Sequence, residues 1–203
     1  MPLEAREVSF YYRRGEWVLR RASLIVNPGE IVGLRGESGS GKTTFARIMA
    51  GYLKPKGGVV LLDGTPLPRG CYNPVQLVHQ HPEKAVNPRW RILDILEEAR
   101  GVDSETMELL GIDPSWLNRW PNELSGGELQ RICLARALRP ETRYLIADEI
   151  TTMLDAVTQA QIWKAILEMV WEMGLGVLAI SHDVSLLGVV ADRVVEMEKI
   201  QRI

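Results

Sequence analysis

Short apolar runs alternate with amphipathic stretches along most of this chain. The apolar runs predict buried strands, among them EIVGLR (30–35), VQLVHQ (75–80), RYLIAD (143–148) and GVLAISH (176–182). The strongest amphipathic stretch, AVTQAQIWKAILEMVWEM (156–173), predicts a long helix. Because strands and helices alternate, we predict an α/β fold with a mainly parallel sheet and right-handed crossovers.

The organisation of the chain follows from where this pattern changes. EVSFYY (7–12) and ASLIV (22–26) predict early strands, which we assign to an N-terminal antiparallel β portion. Between Arg89 and Arg139 the strand signal disappears and helical patterns dominate. We therefore predict a single domain, 1–203, in which a helical lobe, 89–139, is inserted into a core made of 1–88 and 140–203.

The composition excludes several classes of protein. The 203 residues are 46% hydrophobic and 25% charged, which is typical of a folded domain with a substantial core. A formal charge of -2 offers no basic field for nonspecific binding, so we expect no nucleic-acid partner. There is no basic, apolar leader and no apolar run of the roughly 18 residues that a membrane span needs, so we expect any membrane role to come through a partner.

A glycine-rich segment, GESGSGKTT (36–44), follows a predicted strand and precedes a predicted helix, as a phosphate-binding P-loop requires. Its backbone N–H groups and the helix N-terminus form a concave anion site. Lys42 adds a positive charge for the β and γ phosphates, and the Thr43 hydroxyl is placed to ligate Mg²⁺. The predicted nucleotide-binding residues here are Gly36, Glu37, Ser38, Gly39, Ser40, Gly41, Lys42, Thr43 and Thr44.

Two carboxylates end the apolar segment YLIADE (144–149). Side chains alternate along a strand, so Asp148 is expected to face Mg²⁺ while Glu149 points toward an attacking water. An Asp–Glu pair after a strand is also a common loop start or helix cap. In combination with the P-loop, the pair indicates nucleotide hydrolysis.

The segment LSGGELQR (124–131) is a second small-residue turn that leads into an amphipathic helix. Its helix N-terminus, at Ser125, Gly126 and Gly127, offers free N–H groups and the positive end of a helix dipole, which favours an anion. The same residues also fit an ordinary serine N-cap with Glu128 in the first turn. The local pattern leaves both interpretations open.

Taken together, these motifs resemble those of the ATP-binding subunits of ABC transporters, and the resemblance covers essentially the whole chain. The Walker A motif matches 36–43, the signature motif matches LSGGE (124–128), and the Walker B motif matches 144–148, with Glu149 as the catalytic-type glutamate. Gln80 is similar to the glutamine of the Q-loop, and His182 to the switch histidine. MLD (153–155) is similar to the D-loop, and the resemblance implies a P-loop NTPase fold.

The resemblance also implies an ATPase that uses ATP and Mg²⁺. The implied metal-binding residues are Thr43, Gln80 and Asp148, and the implied catalytic residues are Lys42, Gln80, Glu149 and His182. Tyr12 would stack on adenine. Tyr11 lies on the opposite strand face, and the alternative for either ring is a place in the core. In this family two subunits pack head to tail. The residues Ser125, Gly126 and Gly127 would therefore close over the ATP of a second subunit, in a homodimer or a heterodimer.

Two stretches narrow the resemblance within the family. VHQHPEKAVNPRW (78–90) and ADEITTMLDAVTQAQIW (147–163) are similar to the ATPases of dipeptide, oligopeptide and nickel importers. This implies a peripheral subunit at the cytoplasmic face of the membrane, bound to transmembrane permease subunits and acting indirectly with an external substrate-binding protein. The alternatives are a soluble ABC mechanoenzyme of DNA repair, translation or cluster assembly, and a nucleotide-binding module without turnover.

Some residues depart from the family pattern. Ile150 replaces the usual proline after the catalytic glutamate, and Glu128 replaces the commoner glutamine of the signature. The helical lobe is shorter than usual, and a C-terminal extension common in peptide-importer ATPases is not expected. His79 and His81, predicted to share one strand face around Gln80, lack a third ligand at a recognised spacing, so we predict no metal site there.

Overall fold

The computed structural model describes residues 1–68, 70–98 and 101–201. Five strands form a parallel sheet in the order β6-β7-β8-β3-β9. Their bounds are Ile31–Arg35 (β3), Val75–Val78 (β6), Tyr144–Asp148 (β7), Gly176–Ile180 (β8) and Arg193–Glu196 (β9). The predicted parallel sheet is therefore present, and β9 is an additional edge strand that the short, half-exposed segment RVVE did not reveal.

A second, antiparallel sheet has the order β2-β1-β4-β5. Its strands are Leu3–Tyr11 (β1), Trp17–Val26 (β2), Gly57–Leu62 (β4) and Thr65–Pro66 (β5). The antiparallel β portion is thus confirmed. Both early strands are longer than predicted, because each half-exposed strand continues through polar residues that break the apolar pattern.

Seven α-helices occur in the described residues. They are Lys42–Met49 (α1), Ile92–Glu97 (α2), Ser104–Leu109 (α3), Gly126–Ala137 (α4), Ala156–Met173 (α5), Val184–Val190 (α6) and Met197–Ile200 (α7). In the described part of 89–139 the regular elements are α-helical or 3-10, as the sequence pattern predicts. The boundaries of the lobe stay a prediction, and residues 69, 99, 100, 202 and 203 of the predicted domain lie outside the described residues.

The parallel sheet separates two hydrophobic clusters. Along β7, Leu145 and Ala147 pack into a cluster with α4 and α5, while Tyr144 and Ile146 pack into a cluster with α1 and the antiparallel sheet. All five residues of β7 are buried, as in a strand covered on both faces. Because β3, β7 and β8 are parallel, their carboxyl ends meet at one edge of the sheet, where open α/β sheets place their ligands.

Candidate active site

The P-loop joins β3 to α1 and turns on a glycine. Gly41 is the N-cap of α1 with φ of 100°, in the left-handed region that favours glycine. A Cβ at this position would lie 2.9 Å from Leu19 Cδ2 and 3.1 Å from the Val18 carbonyl oxygen. The β2 strand therefore closes one wall of the loop, a contact that motif spacing does not predict.

The Lys42 ammonium lies inside the P-loop. Its Nζ donates to the carbonyl oxygens of Gly36 and Glu37, both at 2.8 Å, and the residue is only 8% exposed. These two bonds hold a buried positive charge at the N-terminus of α1. Such a charge is suited to phosphate oxygens.

Asp148 ends β7 at the floor of the site and is 5% exposed. Burial raises the pKa of its carboxyl above the ordinary value, and the neighbouring Glu149 acts in the same direction. A hydrogen bond with Thr43 lowers the pKa and offsets part of this effect. The buried carboxylate and the Thr43 hydroxyl thus form one cluster of oxygen ligands.

Glu149 has a strained backbone and pairs with a residue from another strand. Its φ is 55°, an uncommon value for a residue with a side chain, and its N–H donates to the Ile180 carbonyl oxygen at 3.0 Å. That bond ties the residue after β7 to the end of β8. The Glu149 carboxylate consequently lies 3.6 Å from Nδ1 of His182.

One cavity of about 560 Å³ gathers most of the predicted site. Its lining residues are Val18, Gly36, Ser38, Gly39, Gly41, Lys42, Thr43, Thr44, Gln80, Asp148, Glu149 and His182. Glu37 and Ser40 belong to the same loop but do not line the cavity. Tyr12 is 59% exposed, and its hydroxyl lies 3.3 Å from Thr44 Oγ1, which places the ring beside the P-loop helix. The structure thus brings together residues of five separate segments of the chain.

The signature segment lies in a different cavity. Ser125, Gly126 and Gly127 line a space of about 740 Å³ together with Met153, Leu154 and Asp155. None of the described lining residues of this cavity is shared with the P-loop cavity. The signature residues of the chain therefore do not line its own P-loop cavity.

The start of α4 is a reciprocal capping box. Ser125 Oγ accepts from Glu128 N at 3.3 Å, and Glu128 Oε2 accepts from Ser125 N at 2.6 Å. The Ser125 N–H bond lowers the pKa of Glu128, so the carboxylate is held charged. The N-cap interpretation is therefore realised, and the cap leaves the N–H groups of Gly126 and Gly127 as the candidates for an anion.

The two histidines beside Gln80 do not lie on a strand. The strand predicted for 75–80 ends at Val78, so the expectation that His79 and His81 share a strand face is wrong. His79 packs against the Tyr52 ring, and burial lowers its pKa, whereas His81 pairs with Glu83 at 3.2 Å. Across the described residues, no group of three or more His, Cys, Asp or Glu side chains could hold a metal.

The P-loop cavity fits Mg²⁺ with a nucleotide better than a metal bound by protein alone. Thr43, Gln80 and Asp148 supply hydroxyl, amide and carboxylate oxygens, the hard ligands that Mg²⁺ prefers. Three such groups leave coordination positions for phosphate oxygens and water. The adjacent Lys42 ammonium is suited to a nucleotide phosphate.

Comparison with known proteins agrees with this geometry. The sequence profile described as ABC transporter matches residues 19–152, which includes both the P-loop and the Walker B carboxylates. The chain belongs to the ABC transporter family. Within the described residues of this family member, no helix is both long and apolar enough to cross a membrane.

Several relatives of this ABC family member are import proteins. It is 39% identical to the "Putative peptide import ATP-binding protein" of Brucella abortus (strain 2308), over 89% of this chain and 61% of that protein. It is 36% identical to the nickel import ATP-binding protein NikE of Escherichia coli (strain K12), over 89% of this chain and 75% of NikE. The chain thus spans about three fifths of the length of the peptide-import relative.

Solved structures support the fold. The dimeric post-hydrolysis structure of an ATP-binding cassette bound to ADP and Pi matches with a TM-score of 0.79 and 25% identity, over 97% of this chain and 94% of that one. CbiO1 from Clostridium perfringens, part of the ABC transporter complex CbiONQ, matches with a TM-score of 0.81 and 24% identity, over 96% of this chain and 83% of that one. The predicted P-loop NTPase fold is confirmed.

Proposed function

We propose that this protein is the ATP-hydrolysing subunit of an ABC importer, with a peptide or a nickel-type ion as cargo. The observation that carries the proposal is the single cavity that joins Lys42, Asp148, Glu149 and His182 at the carboxyl edge of the parallel sheet. Both named relatives are import ATP-binding proteins, which supports the importer branch. No observation favours the soluble mechanoenzyme.

Each side chain has a distinct task in hydrolysis. Lys42 neutralises the β and γ phosphates from inside the P-loop, and Tyr12 stacks on adenine. Glu149 orients and activates the attacking water, and His182, 3.6 Å from that carboxylate, contacts the γ-phosphate. Gln80 reaches the same cavity from the loop after β6, so it senses the γ-phosphate and the metal together.

Oxygen ligands of this chain would hold the metal. Thr43, Gln80 and Asp148 would hold Mg²⁺, which would supply positive charge against the negative charge that develops on the phosphates. Burial of the Asp148 carboxylate favours a positive partner, because an isolated buried charge is costly. Asp148 therefore has a reason to bind the cation more tightly than an exposed carboxylate would.

A second ATPase subunit completes the site. The signature cavity is separate from the P-loop cavity, so the N–H groups of Gly126 and Gly127 meet a nucleotide only when two subunits pack head to tail. The positive end of α4 then faces the γ-phosphate of the partner's ATP. Closure of the two subunits onto each other drives transport.

A third cavity is the candidate docking groove for the permease. It measures about 590 Å³, lies between β6 and α4, and its described lining includes Lys84, Arg136 and Arg139 against one carboxylate, Glu98. Because positive charge dominates, we expect the permease segment that enters it to carry acidic side chains. Binding there places the subunit peripherally at the cytoplasmic face of the membrane, where the permease acts with an external substrate-binding protein.

The proposal is tested in two steps. ATP hydrolysis by the wild-type chain is compared with that of Lys42→Ala, and the tagged chain is used to isolate permease subunits from solubilised membranes. We expect hydrolysis to depend on Lys42. We also expect to recover permease subunits, which would identify the transporter and its cargo. Equal hydrolysis by both proteins would overturn the active site, and recovery of ribosomes or DNA-repair proteins would overturn the importer.

A further inference from the structure

The segment after β9 lies against the outer side of the P-loop. In the parallel pairing of β3 with β9, Arg35 lies opposite Glu196, so α7 begins beside Gly36. A Cβ at Gly36 would come 2.9 Å from Cβ of Met197, which is fully buried. The start of the P-loop is therefore in direct contact with α7.

The residue that follows α7 reaches the middle of the same loop. Gln201 Oε1 accepts from the backbone N–H of Arg20 in β2 at 3.0 Å. Gln201 Nε2 donates to the carbonyl oxygen of Ser40 at 3.5 Å. One amide thus joins the antiparallel sheet to the P-loop, across a sequence separation of 161 residues from Ser40.

Ser40 is tied to Gln201 through its backbone. The Ser40 hydroxyl is buried and has no hydrogen-bond partner among the described residues. The peptide that follows Ser40 leads into Gly41, whose left-handed φ of 100° starts α1. The orientation of this one peptide therefore sets the geometry with which the loop enters its helix.

A trans peptide is planar, and its C=O and N–H point in opposite directions. When Gln201 holds the Ser40 carbonyl outward, the Gly41 N–H points to the other side of the loop. Gly41 lines the P-loop cavity, whereas Gln201 does not. The N–H is consequently directed toward the side on which phosphate would bind.

We infer that Gln201 is a positioning residue for phosphate binding, which fixes the Ser40–Gly41 peptide with its N–H toward the nucleotide. The inference rests on the proposed binding of ATP. Gln201 itself contacts no substrate, so its loss should weaken nucleotide binding and raise KM while kcat changes little. Loss of a residue that only stabilises the fold would lower the melting temperature without raising KM selectively over kcat.

The test uses two variants of Gln201. Gln201→Glu keeps an acceptor for Arg20 but places a carboxylate oxygen against the Ser40 carbonyl, and Gln201→Met removes both bonds without adding charge. The matched control is Asn73→Asp. Asn73 bridges a backbone N–H (Val75, 3.0 Å) and a backbone carbonyl (Ala50, 2.8 Å) in the same way, but at the far end of α1.

Titration of the intact chain with ATP and Mg²⁺ decides the outcome. We expect Kd and KM to rise about fivefold or more in both Gln201 variants, the scale of one lost hydrogen bond, and to stay within about twofold in Asn73→Asp. The inference is overturned if Gln201→Met binds ATP as the wild type does, or if the control weakens binding equally. A wild-type chain that binds no ATP would refute the proposed function as well.

Discussion

Nδ1 of His182 lies 3.6 Å from Oε2 of Glu149, although the two residues follow different strands. The contact depends on the left-handed backbone of Glu149, whose N–H is tied to Ile180 at the end of β8. The pair brings a carboxylate and an imidazole together in the P-loop cavity, and in the proposed mechanism they act on the attacking water and the γ-phosphate.

Glu149→Gln should retain ATP binding while hydrolysis falls by about 100-fold or more, because the amide cannot accept the proton of the water. An ATP-bound dimer should then accumulate and elute earlier in size-exclusion chromatography. Lys42→Ala, which should not bind ATP, is the control for dimerisation. Near-wild-type turnover by the glutamine variant would remove Glu149 from this role.

Mixing two inactive variants should restore activity if the site is shared. Lys42→Ala disables a chain's own P-loop, and Ser125→Arg blocks the signature that the chain lends to its neighbour. Random pairing in a two-fold dimer leaves about a quarter of the sites with both parts intact. ATPase rates are measured for each variant alone and for the mixture.

This experiment requires a demonstration that subunits exchange and that one sound site supports turnover. With those controls in place, an inactive mixture would show that the signature does not act on a neighbour's nucleotide.

Asp148→Asn should raise the stability of the fold and lower the rate of ATP hydrolysis. Burial raises the pKa of Asp148, so the folded state disfavours the ionised carboxylate, and ionisation costs stability at neutral pH. The asparagine variant should melt at a higher temperature at pH 7, and this gain should vanish as the pH falls below the ordinary Asp pKa, where the wild-type carboxyl is protonated in both states. Hydrolysis should fall by about 100-fold or more, the scale of losing one electrostatic group in the site.

Thermal melts across the pH range, recorded without nucleotide, measure the first effect. A melting temperature at pH 7 that is equal to or below that of the wild type would contradict the assigned cost of the buried charge.

Gly127→Ala should destabilise the fold through one contact. A Cβ at Gly127 would lie 2.7 Å from Thr158 Cγ2, whereas one at Gly126 meets only Leu154 at 3.9 Å. Overpacking of this kind costs about 1–3 kcal/mol. The free energy of unfolding, measured by urea denaturation, should fall for Gly127→Ala and stay close to wild type for Gly126→Ala.

Adding Thr158→Ser tests the cause of this effect. Serine removes Cγ2 but keeps the hydroxyl that donates to Asp155 at 2.6 Å, so the double variant should regain most of the lost stability. A double variant as unstable as Gly127→Ala would show that the backbone of the turn, and not this contact, is responsible.

Trp90→Ala should weaken permease binding or transport while basal ATP hydrolysis stays close to wild type. Trp90 is 38% exposed and follows the segment from Pro82 that lines the docking groove through Lys84. Trp171→Ala is the matched control, because that ring is 89% exposed on α5 and is not among the described residues that line the groove. Equal transport and binding in the Trp90 variant would count against this surface.

Local chemistry let the sequence determine several parts of this protein by itself. The helix 156–173 has the predicted bounds, since its apolar spacing is unbroken and Asp155 caps its start. The P-loop and the Asp148–Glu149 pair could also be placed from sequence, because each motif is a short contiguous segment at the carboxyl end of a strand. The residues that give each motif its chemistry lie within a few positions of the strand that precedes them.

Only the tertiary structure decided which of these segments meet. Glu149 reaches His182 because a strained backbone and the pairing of β7 with β8 bring them together, and no periodic pattern encodes a positive φ. Ser125 and Lys42 line separate cavities, although both lie at helix N-termini that follow small-residue turns. Gln201 contacts the P-loop across 161 residues, and the parallel pairing of β3 with β9 brings α7 to that loop. Contacts of this range depend on how the layers pack, which the local sequence does not specify.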